Sequence, residues 1–222
     1  MTDQPPIIVE PPQAARACVI WLHGLGADGS DFEPVASQLA GSITSDTRFV
    51  FPNAPMQAVT INGGAVMRAW YDILELDLER KVDRDGVLAS ARIIEDLIAQ
   101  QQALGIPYAK MVVAGFSQGG AVALHLGLRF GQRLAGIMGL STYITIREDL
   151  SLESCAANAT TPIFLAHGSQ DPMVPLAASE QSRQLLRSLG YRPSCHTYPM
   201  AHAVCAEEIR DISCWLEDVL DC

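Results

Sequence analysis

Gly115-Phe116-Ser117-Gln118-Gly119 sets a hydroxyl between two glycines, after an apolar run at 110–115 and before a helix-compatible segment, GGAVALHLGL. A serine on such a strand-to-helix turn is held in strained backbone with its oxygen exposed. Glycines two residues either side remove side chains that would clash across the turn. The helix that follows aims its first N–H groups at developing negative charge. The pattern is that of a nucleophile elbow; the alternative is an ordinary Gly-rich strand–helix connection. A serine hydroxyl is a weak nucleophile at neutral pH and needs an adjacent base.

On such elbows the order along the chain is Ser, then an acid, then His. Three histidines follow residue 160: His167, His196 and His202. His167 ends an expected strand, and His196 lies mid-strand, where it packs or faces solvent. His202 follows the last expected strand, in Tyr198-Pro199-Met200-Ala201-His202, and precedes the last helix. It is the expected general base. His125 lies on the helix after the elbow, the wrong element. The run HGSQDPMVP (167–175) holds one carboxylate, Asp171, between Ser169-Gln170 and the stiffening Pro172 and Pro175. Asp171 is the expected orienting acid; alone, it would read equally as a turn or cap residue. Ser117, Asp171 and His202 together, each at a strand's C-terminal end, read as a nucleophilic triad.

Acyl transfer also needs donors for a tetrahedral oxyanion. One is expected from the backbone N–H of Gln118, the other from Leu25 in the Gly-rich loop His23-Gly24-Leu25-Gly26-Ala27-Asp28-Gly29. That loop is neither a Walker A motif nor GxGxxG, so a nucleotide site is not expected. Met67, Trp70 and Tyr71 are candidates for an apolar acyl wall, or equally for core beneath the 53–85 stretch, which carries the turn signal Asn62-Gly63-Gly64.

The elements that must position these residues alternate between short apolar runs and longer amphipathic stretches, the pattern of βαβ units around a mostly parallel sheet. Strands are expected at 7–10, 17–22, 48–51, 110–115, 134–140, 162–167 and 194–198. The first two, linked by PPQAAR, predict an antiparallel hairpin at the sheet edge. Helices are expected near 31–40, 86–104, 118–130, 175–189 and 205–220. Ser30 and Glu33 have capping-box spacing before the first. In the second, Val87, Ala91, Ile94, Leu97, Ile98 and Leu104 share one face. Only 21 residues separate Leu140 from the strand at 162, so no cap domain is expected. The fold class is α/β, an α/β-hydrolase fold with about seven strands and helices on both faces.

With HGLGADGSDF (23–32), RAWYDI (68–73), GFSQGG (115–120), HGSQDPMVP (167–175) and PMAH (199–202) in order, the chain resembles the small carboxylesterase/acyl-protein thioesterase family from about residue 7 to 220. The resemblance implies a capless α/β-hydrolase that cleaves carboxylic esters and thioesters; some eukaryotic members remove palmitoyl groups from protein cysteines. Carried over by motif, it implies the same triad and the same oxyanion donors, and it makes 60–73 the border of an acyl groove. The residue before the catalytic histidine is usually Gly in that family and is Ala201 here, unfavourable if the position needs positive φ.

The 222 residues, 49% hydrophobic and 18% charged, suit one globular domain spanning 1–222. A net charge of −10 without a basic cluster argues against nucleic acid as a partner. No apolar run approaches the ~18 residues of a membrane span, so stable membrane insertion is not expected. The N-terminus lacks a signal-peptide pattern, which makes the expected location cytoplasmic. Six cysteines, at 18, 155, 195, 205, 214 and 222, show no metal-ligand spacing and read as reduced thiols. No cofactor or metal is expected. The expected partner is a small acyl ester or thioester, with S-acylated protein as a further substrate class. An exposed apolar groove would favour a homodimer. Competing readings are hydrolysis of another acyl bond (lysophospholipid, lactone or peptide) or a non-catalytic receptor. A dienelactone-type enzyme would carry Cys at 117, a prolyl-peptidase type would need an added domain, and a receptor would be expected to have lost part of the triad.

Overall fold

The computed structural model describes residues 4–39, 43–75 and 81–220; the end of the first expected helix at residue 40 and Cys222 lie outside the described residues. The strands are β1 (Ile7–Val9), β2 (Ala17–Leu22), β3 (Thr47–Phe51), β4 (Met56–Val59), β5 (Ala65–Arg68), β6 (Met111–Phe116), β7 (Gly136–Leu140), β8 (Ile163–Gly168) and β9 (Ser194–Tyr198). The helices are α1 (Glu33–Gln38), α2 (Ile43–Asp46), α3 (Arg84–Ala103), α4 (Gln118–Arg129), α5 (Leu150–Glu153), α6 (Leu176–Ser188) and α7 (Ala206–Leu220).

Seven strands form one sheet in the order β1-β3-β2-β6-β7-β8-β9. All its pairings are parallel except β1 with β3. Side chains alternate along each strand, so β2 feeds two cores. Cys18, Ile20 and Leu22 meet Val87, Ile94 and Ile98 of α3 on one face. Val19 and Trp21 meet Val35 of α1 and Ile212 and Leu216 of α7 on the other. Helices thus cover both faces, and β2 is buried at every position, as a central parallel strand requires.

Chain order reverses beside β2: β3 lies on one side, and β6 through β9 continue on the other. In open α/β sheets the loops at strand C-termini diverge at such a switch point and leave a crevice there. The loop after β2 and the turn after β6 therefore share one end of the sheet, side by side.

Four expectations are corrected. No β1–β2 hairpin forms; β1 runs antiparallel against β3, pairing Ile7 with Phe51 and Val9 with Phe49. The linker carries Pro11 and Pro12, unsuited to a tight hairpin turn, and the fully buried β2 takes parallel neighbours on both sides. The capping box lies two residues earlier than Ser30/Glu33. Asp28 Oδ1 accepts from Ser30 N (2.8 Å), and Asp31 Oδ2 accepts from Asp28 N (3.0 Å), closing a one-turn 3₁₀ helix ahead of α1. Leu104 leaves the buried face of α3: it is the C-cap and 65% exposed. The stretch read as a loop from 53 contains the β4–β5 hairpin, closed by Gly63 (φ 66°) and Gly64 (φ 79°), where only glycine turns without strain.

Candidate active site

β6 delivers Ser117 onto a backbone of φ 54°, ψ −120°, sparsely populated for a residue with a side chain, as the N-cap of α4. Neighbours hold this strain in place. Ser117 N donates to Leu140 O at the end of β7 (2.8 Å), and Thr142 Oγ1 donates to Ser117 O (2.6 Å). A Cβ on Gly115 would sit 2.4 Å from the carbonyl of Gly119, and one on Gly119 would sit 2.4 Å from His23 O. The flanking glycines therefore let β6, α4 and the end of β2 close on one another.

Asp171 follows β8, with its side chain fully buried. Its Oδ1 accepts from Met173 N (2.8 Å) and Val174 N (2.9 Å), and its Oδ2 accepts from His202 Nδ1 at 2.6 Å. With the Nδ1 proton committed to the carboxylate, the His202 Nε2 lone pair is the one free to take a proton. The ring rests on Phe116 (centroids 4.6 Å apart). His202 and Ser117 line the same cavity, although no hydrogen bond joins them among the described residues. Such contacts are commonly long without substrate and tighten in the complex. Ala201 does not have positive φ, so alanine there adds no strain. The loop instead requires glycine at 168, where a Cβ would meet Ala201 O at 2.3 Å.

Leu25 and Gln118 both line this cavity. Their backbone N–H groups have no backbone acceptor among the described residues, and Gln118 is the first residue of α4, where helical N–H groups are left open.

A brace that sequence reasoning missed surrounds them. His23, fully buried, hydrogen-bonds Gly24 O through Nδ1 (2.7 Å) and accepts from Ala54 N at Nε2 (3.0 Å). Burial lowers its pKa, keeping the ring neutral as that tautomer requires. Trp70 is also core: its Nε1 donates to His23 O (2.9 Å), and its backbone N donates to Gln118 Oε1 (2.8 Å). Gln118 Nε2 then donates to Tyr71 O (2.6 Å). Gly26 N donates to Arg68 O (2.8 Å), and Met67 Sδ lies against Gly26. Residues 67–71 thus clamp the Gly-rich loop to the elbow. The only hint in the sequence was the Trp-Tyr pair itself.

The cavity, about 450 Å³, lies within the usual range for small-ligand sites. Tyr71 lines it; Met67 and Trp70 do not. Its apolar wall is Leu25, Phe32, Ile61, Ile73, Phe116 and Met173. Phe116, the variable residue of the elbow, was legible as a neighbour of the serine; Phe32 and Met173 come from distant segments.

His167 is buried beside Asp171. Its Nε2 lies 2.8 Å from Val174 O and 3.5 Å from Asp171 Oδ2, and burial lowers its pKa. A second Ser–His–Asp alignment is instructive. Ser194 Oγ is 2.8 Å from His196 Nε2, and His196 Nδ1 is 3.5 Å from Asp211 Oδ2. Ser194, however, is exposed at the first position of an edge strand, whereas Ser117 caps the N-terminus of α4. Proximity alone does not make a nucleophile.

Residues 4–220 match the Phospholipase/Carboxylesterase family. Acyl-protein thioesterase 1 of Neurospora crassa is 37% identical over 99% of this chain and 94% of its own length. Acyl-protein thioesterase 1 of Saccharomyces cerevisiae is 37% identical over 94% of this chain and 95% of its own. Among solved structures, Arabidopsis thaliana SOBER1 superposes with a TM-score of 0.87 at 32% identity, covering 93% of this chain and 100% of that one. Zea mays acyl-protein thioesterase 2 gives 0.86 at 26% identity, covering 97% and 98%.

Proposed function

Because this chain belongs to the phospholipase/carboxylesterase family and is a serine hydrolase of ester and thioester bonds, we propose that it works through an acyl-enzyme on Ser117, with His202 as general base and Asp171 as its orienting acid. The observation that carries this reading is the 2.6 Å bond from His202 Nδ1 to a buried Asp171, which leaves Nε2 to serve the cavity holding Ser117.

Ser117 Oγ attacks the acyl carbonyl while His202 Nε2 takes its proton. The carbonyl oxygen becomes an oxyanion, held by the N–H groups of Leu25 and Gln118. Asp171, already neutralised in part by two backbone N–H donors, stabilises the imidazolium without taking its proton. Collapse breaks the bond to the alcohol or thiol, which leaves with the proton from His202. Water, deprotonated by the same ring, then releases the acid and restores Ser117.

The substrate class proposed is the S-acylated protein, acted on in the cytoplasm. Support comes from the names of the relatives, both acyl-protein thioesterases. The test is hydrolysis of p-nitrophenyl butyrate and of an S-acyl peptide, with fluorophosphonate labelling. Ser117→Ala is expected to lose label and to lower kcat by at least about 10⁴-fold, with its circular dichroism retained. Labelling that persists in the folded variant would refute the assignment.

A further inference from the structure

The ionisable groups at the cavity are unevenly distributed. Among the described residues its lining holds, besides His202 and the phenols of Tyr71 and Tyr143, two exposed carboxylates, Asp31 and Glu75, and no lysine or arginine. Asp31 stands on the 3₁₀ turn directly after the Gly-rich loop. Beside it Asp28 takes two hydrogen bonds from Ser30 (2.8 Å to N, 2.6 Å to Oγ), which hold that carboxyl below the usual range and thus ionised. Glu75 stands on a different segment, just after the Ile73↔Val82 bridge. Among the described residues, Arg68 and Lys81 are the cations nearby. Arg68 is spent on Ala54 O (2.8 Å) and Gln4 Oε1 (2.7 Å). Lys81 lines a much smaller adjoining cavity beside Glu75.

The apolar wall suits an acyl chain, so what reaches the exposed acids is the other half of the substrate, the leaving group. Accepting the Ser117 mechanism proposed above, we infer that Asp31 and Glu75 select by leaving-group charge: the enzyme favours an S-acylated cysteine flanked by lysine or arginine and discriminates against polyanionic thiols such as coenzyme A. Carboxylates around one mouth raise the local concentration of a cationic partner and repel an anionic one. In exposed positions the effect is modest per charge and screened by salt. It acts on encounter and binding, hence on KM more than on kcat.

The experiment uses three S-octanoyl peptides of one length, whose cysteine is flanked by three lysines, three serines or three glutamates, together with octanoyl-CoA. For each, kcat/KM is measured at about 20 and about 300 mM salt. The lysine peptide is expected to exceed the glutamate peptide and the CoA ester about fivefold or more at low salt, with the ratio falling to within about twofold at high salt. The double variant Asp31→Asn/Glu75→Gln is expected to shrink the low-salt ratio toward one. A ratio that responds neither to salt nor to the double variant overturns the inference. Failure of the mechanism itself looks different: all four substrates would be inert, or all would still turn over with Ser117→Ala.

Discussion

At the scale of single residues, the site depends on which atom of each polar group is already committed. Asp171 gives one oxygen to two backbone N–H groups and the other to His202, so its carboxylate is held fixed against the ring. Asp171→Asn would present an amide N–H or a weaker acceptor to Nδ1 and favour the wrong tautomer. The expected outcome is a fall in kcat of about 10³–10⁴-fold with KM little changed, read in steady-state kinetics; a fall under tenfold would contradict that role. His167 hydrogen-bonds the Val174 carbonyl and packs 3.5 Å from the same carboxylate, so it positions the acid loop. His167→Ala is expected to lower kcat roughly tenfold through a small displacement of Asp171. His167→Gln, which retains an N–H for Val174 O, should recover most of it. Equal activity in both variants would leave His167 a packing residue only.

At the scale of elements, a strand–turn–helix elbow and a Gly-rich loop from another strand meet because β6 and β2 are neighbours at the point where sheet order reverses. Their contact is backbone on backbone: Gly119 abuts His23 O and Leu22 O. Gly119→Ala must push β2 and α4 apart, with an expected cost of about 1–3 kcal/mol or more and loss of the oxyanion geometry. Urea denaturation and labelling rate would both register it; a variant as stable and as reactive as the parent would show that the contact yields easily. The β4–β5 hairpin and residues 67–71 belong to the same joint. Their periodicity was hidden because each strand is four residues long, and the hairpin forms its own two-stranded sheet, with Met56 and Val66 exposed.

For the whole molecule, burial moves a carboxyl on α7 far from its usual chemistry. Glu208 on α7 is 0% exposed, and the backbone of Cys205 eases its charge only in part. Burial raises its pKa from 4.5 to about 8. Between those values the native state holds a proton that the unfolded chain has released. Stability contributed by the protonated form is therefore complete below about pH 4.5 and is lost as pH rises toward 8. Glu208→Gln is expected to flatten that slope: a Tm near the parent's at pH 5 and above it at pH 8, by scanning calorimetry. A parallel pH dependence in parent and variant would disprove the linkage. Cys18 shows the same effect of burial, its thiol pushed up to about 12, so it should resist alkylation in the native protein.

The sequence by itself determined the chemistry and most of the frame. The elbow pattern, the chain order of Ser117, Asp171 and His202, and the periodicity of the long elements are local signals. A strained turn needs its glycines, and a buried strand or an amphipathic helix needs its period, wherever it ends up. Tertiary structure decided what depends on meeting. It moved β1 from β2 to β3, made Trp70 a clamp instead of a wall, and recruited Phe32 and Met173 to the cavity. None of these has a local signature, because each is a choice of neighbour, and neighbours are chosen by strand order and by how the two cores close over the sheet.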